Sequence, residues 1–416
     1  MLNNKDNYVK KILMVNHYGL IGGAGVSLYH IAKAFKSMAD QYDVVVYSPA
    51  DPPCMSDWLE KNGIKVYRAS STPTILSHYS GCSKPILSMF SLNNLRKIKT
   101  KRGWEEIKTA IQRIEPDIIA VNTMTLCWLG PLIKKMNKKL VCFHRETYAK
   151  GMLGVRTGYI KHLLANYFDL VVFISKYDLE KTGPLRSYAA VITDKVKLEE
   201  YQIGNKEELR QELGLRADAH IIVYLGGISR LKGAHLALHA LAKLKDKNSR
   251  LLFLQFGIEK RIKSFRDCST IRQKLKFILG FDYEADLLRS IDEYKLWDRI
   301  DFVPTLLEPA KYIVASDVVV FPSTAPHQAR PVFEAGAARR PVIITDFANT
   351  KEYAKNMFNC LTFRNGDADE LAKKLEMLKS DKKLYVFLAE NNYLNAKTTH
   401  DFHNLPEELH ELFQNL

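Results

Sequence analysis

DVVVFPSTAPHQARPVFEAGAARRPVIITDFANTKE, residues 317–352, is the stretch whose reading decides the fold. Val318 to Phe321 form a continuous apolar run, too short for a helix and ended by Pro322-Ser323, as expected of a parallel strand buried on both faces. A polar loop, Pro322 to Arg330, follows. Pro331 suits the first turn of a helix, where its missing N–H is not needed, and Glu334 then lies about one turn inside, near the positive end of the helix dipole. Pro341 to Thr345 read as a second buried strand. Strand, loop and helix in this order make an anion and ribose site at the carboxyl edge of an open α/β sheet.

The same alternation extends outward in both directions. Upstream, HIIVYLGGISRLKGAHLALHALAKL gives a strand at 221–225, a turn holding Gly226, Gly227, Arg230, Lys232 and Gly233, and an amphipathic helix. Residues 251–257 and 299–305 read as further strands, with a charged helical insertion at 259–298. In the first half, strands are expected at 11–16, 43–49, 64–70, 116–123, 139–147, 170–178 and 189–195. The first is followed by a glycine-rich turn with Gly22 and Gly23 and then a helix, so a ligand can approach the backbone closely there. This turn is not G-x-G-x-x-G, and no acid sits at the spacing a dinucleotide ribose requires. His144 falls at the carboxyl end of its strand, where ligand-contacting residues of such sheets collect. Asn205 to Glu208 is a capping signal opening the second half. Asp367-x-Asp369 offers either a metal–nucleotide pair or, with Glu370, a capping box; the capping reading is preferred.

Lys and Arg number 61 against 46 acids, a net charge of +15, and 29 bases against 17 acids put +12 of it in residues 1–200. That asymmetry implies an anionic partner for the first half. No nucleic-acid module accompanies it. The segment 71–104 mixes apolar side chains with Arg96, Lys97, Lys99, Lys101 and Arg102, a composition suited to a phospholipid headgroup surface. Lys134, Lys135, Lys138 and Lys139 form a second basic patch. No run approaches the ~20 apolar residues of a membrane span, and the short run after the N-terminal lysines reads as a strand rather than a leader. A cytoplasmic protein, peripheral on the inner face of the membrane, is expected. The six scattered cysteines read as free thiols.

These motifs resemble the family-4 glycosyltransferases, whose donor pattern is P-S-x-x-E-G-x-x-x-x-x-x-E-A-x-A-x-G-x-P-V-I. Pro322, Ser323, Glu334, Ala335, Ala337, Pro341, Val342 and Ile343 match it. Lys232-Gly233 match the end of the family's G-R-L-x-x-x-K-G phosphate loop; Gly227 stands at its arginine position, with Arg230 the substitute. The family's first acidic residue, eight before Glu334, is Pro326 here, leaving His327 or Gln328 to hydrogen-bond the sugar. The resemblance implies two tandem Rossmann-like domains facing a cleft, the glycosyltransferase-B type: an acceptor domain at 1–200, a nucleotide-sugar domain at 201–390, and a helical segment at 391–416 crossing back to the first domain. It implies transfer with retention from a nucleotide-diphosphate sugar to a glycan or lipid-linked acceptor in surface-polysaccharide synthesis, with neither cofactor nor metal. His144, Lys232, Arg230 and Glu334 are then the catalytic candidates. Gly22, Gly23, Gly226, Gly227, His327, Gln328, Ala329, Arg330 and Pro331 are the donor contacts. A sugar-nucleotide epimerase of the same architecture and a non-catalytic glycosyltransferase-like subunit are the alternatives.

Overall fold

The computed structural model describes residues 8–76, 103–148, 154–227, 229–254, 283–303 and 309–416. Cys82, Cys268, the cluster Arg96 to Arg102, and much of the expected insertion fall outside the described residues. The described chain divides into two units. Residues 8–76, 103–195 and 402–416 form the first, and residues 196–401 the second.

In the first unit seven strands are all parallel: β1 (Lys10–Val15), β2 (Tyr42–Pro49), β3 (Lys65–Ala69), β4 (Ile118–Val121), β5 (Lys139–His144), β6 (Leu170–Phe173) and β7 (Tyr188–Val191). Their order is β3-β2-β1-β4-β5-β6-β7. Successive residues of a strand face opposite sides, so Ile12 and Met14 enter one core while Leu13 and Val15 enter the other. The 170–178 run stops being a strand at Phe173. Ser175 instead caps the helix Lys176–Thr182, its Oγ accepting from the Asp178 N–H at 3.1 Å. Serine followed three residues on by an acid is a capping signal.

The second unit holds six parallel strands: β8 (His220–Leu225), β9 (Ser249–Leu254), β10 (Ile300–Phe302), β11 (Val318–Phe321), β12 (Val342–Thr345) and β13 (Leu361–Phe363). Their order is β10-β9-β8-β11-β12-β13. The edge strand β13 is the element not anticipated from sequence. It has only three residues, with Leu361 and Phe363 buried either side of Thr362, too little to declare a period. Each sheet reverses its winding beside the first strand of its unit, between β1 and β4 and between β8 and β11. Loops at such a switch point splay apart and leave room for a ligand.

The C-terminal segment departs from the expected 391–416. Residues 391–399 continue the helix Lys382–Thr399, which stays in the second unit against the helix Pro331–Ala337. Gly336 makes that packing possible: a Cβ there would collide with the Asn392 carbonyl, and Asn392 Nδ2 donates to the Val332 carbonyl at 2.8 Å. Only from Phe402 does the chain join the first unit. The helix Leu405–Phe413 adds Leu405, Leu409 and Phe413 to the first core, with the Phe413 ring 4.9 Å from that of Phe35.

Candidate functional site

The loops after β8 and β11 meet at the switch point of the second sheet. Gly233 (φ +72°) opens the helix Ala234–Lys243, and a Cβ there would strike the Pro322 carbonyl, so only glycine permits the two loops to touch. Hydrogen bonds fasten the contact: Thr324 N–H donates to the Leu231 carbonyl at 2.8 Å, and Thr324 Oγ1 to the Arg230 carbonyl at 2.9 Å. Behind them, Thr345 Oγ1 donates to the Ser323 carbonyl at 2.7 Å.

This frame holds Lys232 with its ammonium 5.1 Å from the centre of the Phe321 ring. Among the described residues Lys232 makes no ion pair. Burial lowers its pKa from 10.5 to about 8, against the opposing pull of the nearby Glu334 carboxylate. A desolvated lysine without a salt bridge is a cation held ready for an anion that arrives from outside. Glu334 is buried in the first turns of its helix, one oxygen accepting from Arg330 Nε at 2.9 Å. That helix, Pro331–Ala337, has only seven residues, with Pro331 at its first position. Its dipole is therefore a smaller source of positive charge than the sequence implied, and Lys232 carries more of the burden.

Other expected contacts divide into those the fold brings here and those it does not. Gly226 and Gly227 lie in the same turn, where Tyr224 Oη donates to the Gly227 carbonyl at 3.1 Å. Ala329 is buried, its N–H donating to Tyr353 Oη at 2.9 Å. Tyr353 Oη in turn donates to Gln328 Oε1 at 3.1 Å, which commits the Gln328 side chain to the loop. His327 is half-buried, its carbonyl accepting from Asn349 Nδ2 at 3.0 Å. Arg230 turns elsewhere: its guanidinium pairs with Asp286 at 2.5 Å and lies 5.0 Å over the Tyr283 ring. It does not converge with Lys232. Tyr353 and Asn349 were missed from sequence, although both follow β12 at the sheet edge where ligand loops cluster.

Asp367 Oδ1 accepts the Glu370 N–H at 2.9 Å and caps the helix Ala368–Ser380, while Asp369 pairs with Lys243. Both aspartates are thus employed in structure.

In the first unit, Gly22 and Gly23 open the helix Gly23–Ser37, with free space in front of both. Asn122, after β4, donates from Nδ2 to the Ala24 carbonyl at 2.9 Å and fixes this turn. His144 is fully buried, packed against Tyr148 and Phe173. Its position at the end of β5 is as expected. The polar groups beside it are engaged with one another. Arg145 Nη1 pairs with Asp194 at 2.9 Å, and Ser27 Oγ donates to the same Asp194 oxygen at 2.6 Å. Glu146 accepts from the Met124 and Arg145 N–H groups, and burial pushes its carboxyl up to about 7. Of the second basic patch, Lys134 and Lys139 share Asp169 at 3.2 and 4.0 Å, so part of that charge is neutralised.

Two parallel, doubly wound sheets, one in each unit, are the architecture of the GT-B fold, and this chain has that fold. Residues 205–395 match the model of the family described as glycosyl transferases group 1. A Bacillus subtilis (strain 168) protein provisionally named teichuronic acid biosynthesis glycosyltransferase TuaC is 25% identical over 251 residues, 59% of this chain and 56% of its own length. The chain thus spans little more than half of that relative. Anabaena Alr3699/HepE, solved in complex with UDP-glucose, superposes with a TM-score of 0.75 at 20% identity, over 98% of this chain and all of that one. Sucrose-phosphate synthase from Thermosynechococcus elongatus gives 0.73 at 18% identity, over 98% of both chains. No helix among the described residues is long and apolar enough to cross a membrane.

Proposed function

We propose that this protein transfers a sugar, with retention, from a nucleotide-diphosphate donor to a glycan or lipid-linked acceptor of a bacterial surface polysaccharide. The observation that carries this reading is Lys232, half-buried, without an ion pair among the described residues and fixed at the switch point of the second sheet. Charge builds on the departing diphosphate in the transition state. A preorganised cation in a water-poor setting stabilises that charge more than it stabilises the bound substrate. Glu334 keeps acceptor capacity beyond its bond to Arg330 and takes the ribose hydroxyls. His327 orients the sugar in place of the missing acid at Pro326. No residue is assigned as a nucleophile, and Lys232 supplies the positive charge that a metal would otherwise bring. The basic first unit draws the enzyme to the inner face of the membrane, where a lipid-linked acceptor lies.

The test is a thermal-shift panel of UDP-, GDP-, dTDP- and ADP-sugars, beginning with UDP-glucose, the ligand in the Anabaena complex. A ligand at 100 times its Kd adds about 2.7 kcal/mol of stability. Transfer activity with the donor so found should survive a chelator. No stabilisation by any nucleotide sugar would favour a non-catalytic subunit, and epimer release without acceptor would favour an epimerase.

A further inference from the structure

The turn at 355–360 breaks a local rule. Met357 has φ +61°, a left-handed conformation that favours glycine or asparagine and is a genuine outlier for a bulky side chain. The turn around it is firmly built. Met357 N–H donates to the Cys360 carbonyl at 2.9 Å, Lys355 N–H to Asn359 Oδ1 at 2.7 Å, and Asn359 Nδ2 to the Tyr353 carbonyl at 2.8 Å. Its product is exposure: Met357 and Phe358 stand in solvent. The Phe358 ring lies 6.3 Å from that of Phe387 on the helix Lys382–Thr399, and Leu394 follows two turns on along the same face. Met357, Phe358, Val386, Phe387 and Leu394 are between 45% and 57% exposed. A strained backbone that presents apolar side chains to water has no folding rationale, and such outliers cluster where a surface has work to do.

The charges beside this patch choose its occupant. Lys355 lies in the turn, Lys382 and Lys383 one turn before Val386 and Phe387, and Lys397 one turn beyond Leu394. None of the four makes an ion pair among the described residues. The acids on the helix are engaged, Asp381 accepting the Leu384 N–H at 2.9 Å and Glu390 pairing with Arg339. Glu352 lies just before the turn. Apolar side chains rimmed by free lysines match a bilayer with anionic headgroups. A second copy of the same face would instead oppose lysine to lysine.

We propose that the 355–360 turn and the outward face of the helix Lys382–Thr399 form a second-unit docking surface for an anionic lipid membrane. This is separate from the basic first half and does not depend on the donor chemistry.

The test uses the full chain and vesicles of phosphatidylcholine, with and without roughly one-third phosphatidylglycerol, where each lysine near the surface is worth about fivefold in partition. Co-sedimentation with the anionic vesicles only is expected, and Lys382→Ala with Lys383→Ala should cut it about 25-fold. Phe358→Ser with Phe387→Ser should cut it at least about tenfold, with unchanged melting and nucleotide affinity. Met357→Gly should weaken vesicle binding while leaving the melting temperature unchanged or higher, since glycine accepts the backbone conformation. Neutralising Arg96, Lys97, Lys99, Lys101 and Arg102 together should leave binding that the second-unit variants then remove. Unchanged binding in the serine and alanine variants overturns the proposal. So does a concentration-dependent dimer that those same substitutions dissolve.

Discussion

The two units repeat one device, a strand, a glycine-bearing turn and a helix at the switch point of a parallel sheet, and they equip it in opposite ways. In the second unit the turn after β8 brings Lys232 to the switch point, where it makes no ion pair among the described residues. In the first, the nearby cation Arg145 pairs with Asp194, and Asp194 also takes the Ser27 hydroxyl. The fold supplies the same opening twice. What separates an anion site from a structural clasp is whether the cation is left available to a ligand.

That contrast can be broken most forcefully in the first unit. Arg145 and Asp194 are both nearly inaccessible, with side chains 7% and 8% exposed. Asp194→Ala takes a buried carboxylate away from the Arg145 guanidinium and the Ser27 hydroxyl, and removing one partner of a buried ion pair costs up to about 3–5 kcal/mol. Chemical denaturation should show that loss, while nucleotide affinity of the folded fraction stays unchanged. A stability loss below 1 kcal/mol, or a parallel loss of nucleotide binding, would erase the distinction between clasp and site.

Lys232→Ala should do the reverse. Turnover is expected to fall about 10²–10³-fold, as when one preorganised electrostatic group is lost from a transition state. Stability at neutral pH should hold or rise, because a desolvated charge has been removed. Arg230→Ala is the control: its guanidinium is half-exposed on Asp286, so its loss should change turnover less than about threefold. If the two variants behave alike, Arg230 acts together with Lys232 on the departing diphosphate.

Glu334→Gln should weaken nucleotide binding by about 1.5–3 kcal/mol, the worth of a hydrogen bond to a charged partner. Titration calorimetry with the nucleotide alone isolates the effect from any contact with the sugar.

How far the sequence revealed this site follows from what each residue does. Strands buried on both faces announce themselves as runs of Val and Ile, so the alternation that builds both sheets was legible, and so were Lys232 and Glu334 at its loops. β13 was not: its three residues alternate around Thr362 and include no run of Val and Ile. Direction of a side chain was the harder part. Nothing near Arg230 in sequence reveals Asp286, and nothing near Gln328 reveals that Tyr353 holds it. The position of His144 at the end of β5 was legible; its packing against Tyr148 and against Phe173 on the neighbouring strand was not.

The smallest and most diagnostic effect is that of pH. The Lys232 amine titrates at about 8 rather than 10.5, chiefly because burial disfavours its charged form. Below pH 8 the free protein presents an ammonium to the diphosphate. Above it the charge is lost, and nucleotide affinity should fall by up to about tenfold per pH unit until the pKa of the complex, raised by the bound phosphates, is passed. Stability should move the other way. Between about 8 and 10.5 the unfolded chain holds a proton at this lysine that the folded chain has released, so unfolding free energy rises with pH in that window. Burial holds Tyr47, Tyr148 and Tyr224 well above 10 in the folded protein, so near pH 10 only the unfolded chain loses those protons and stability is pulled down there; the comparison is therefore with Lys232→Arg, whose guanidinium stays charged throughout. The arginine variant should show a flat affinity profile from pH 7 to 10 where the parent declines. A parent profile equally flat would mean that Lys232 does not meet the phosphates, and the contrast between the two switch points would lose its second half.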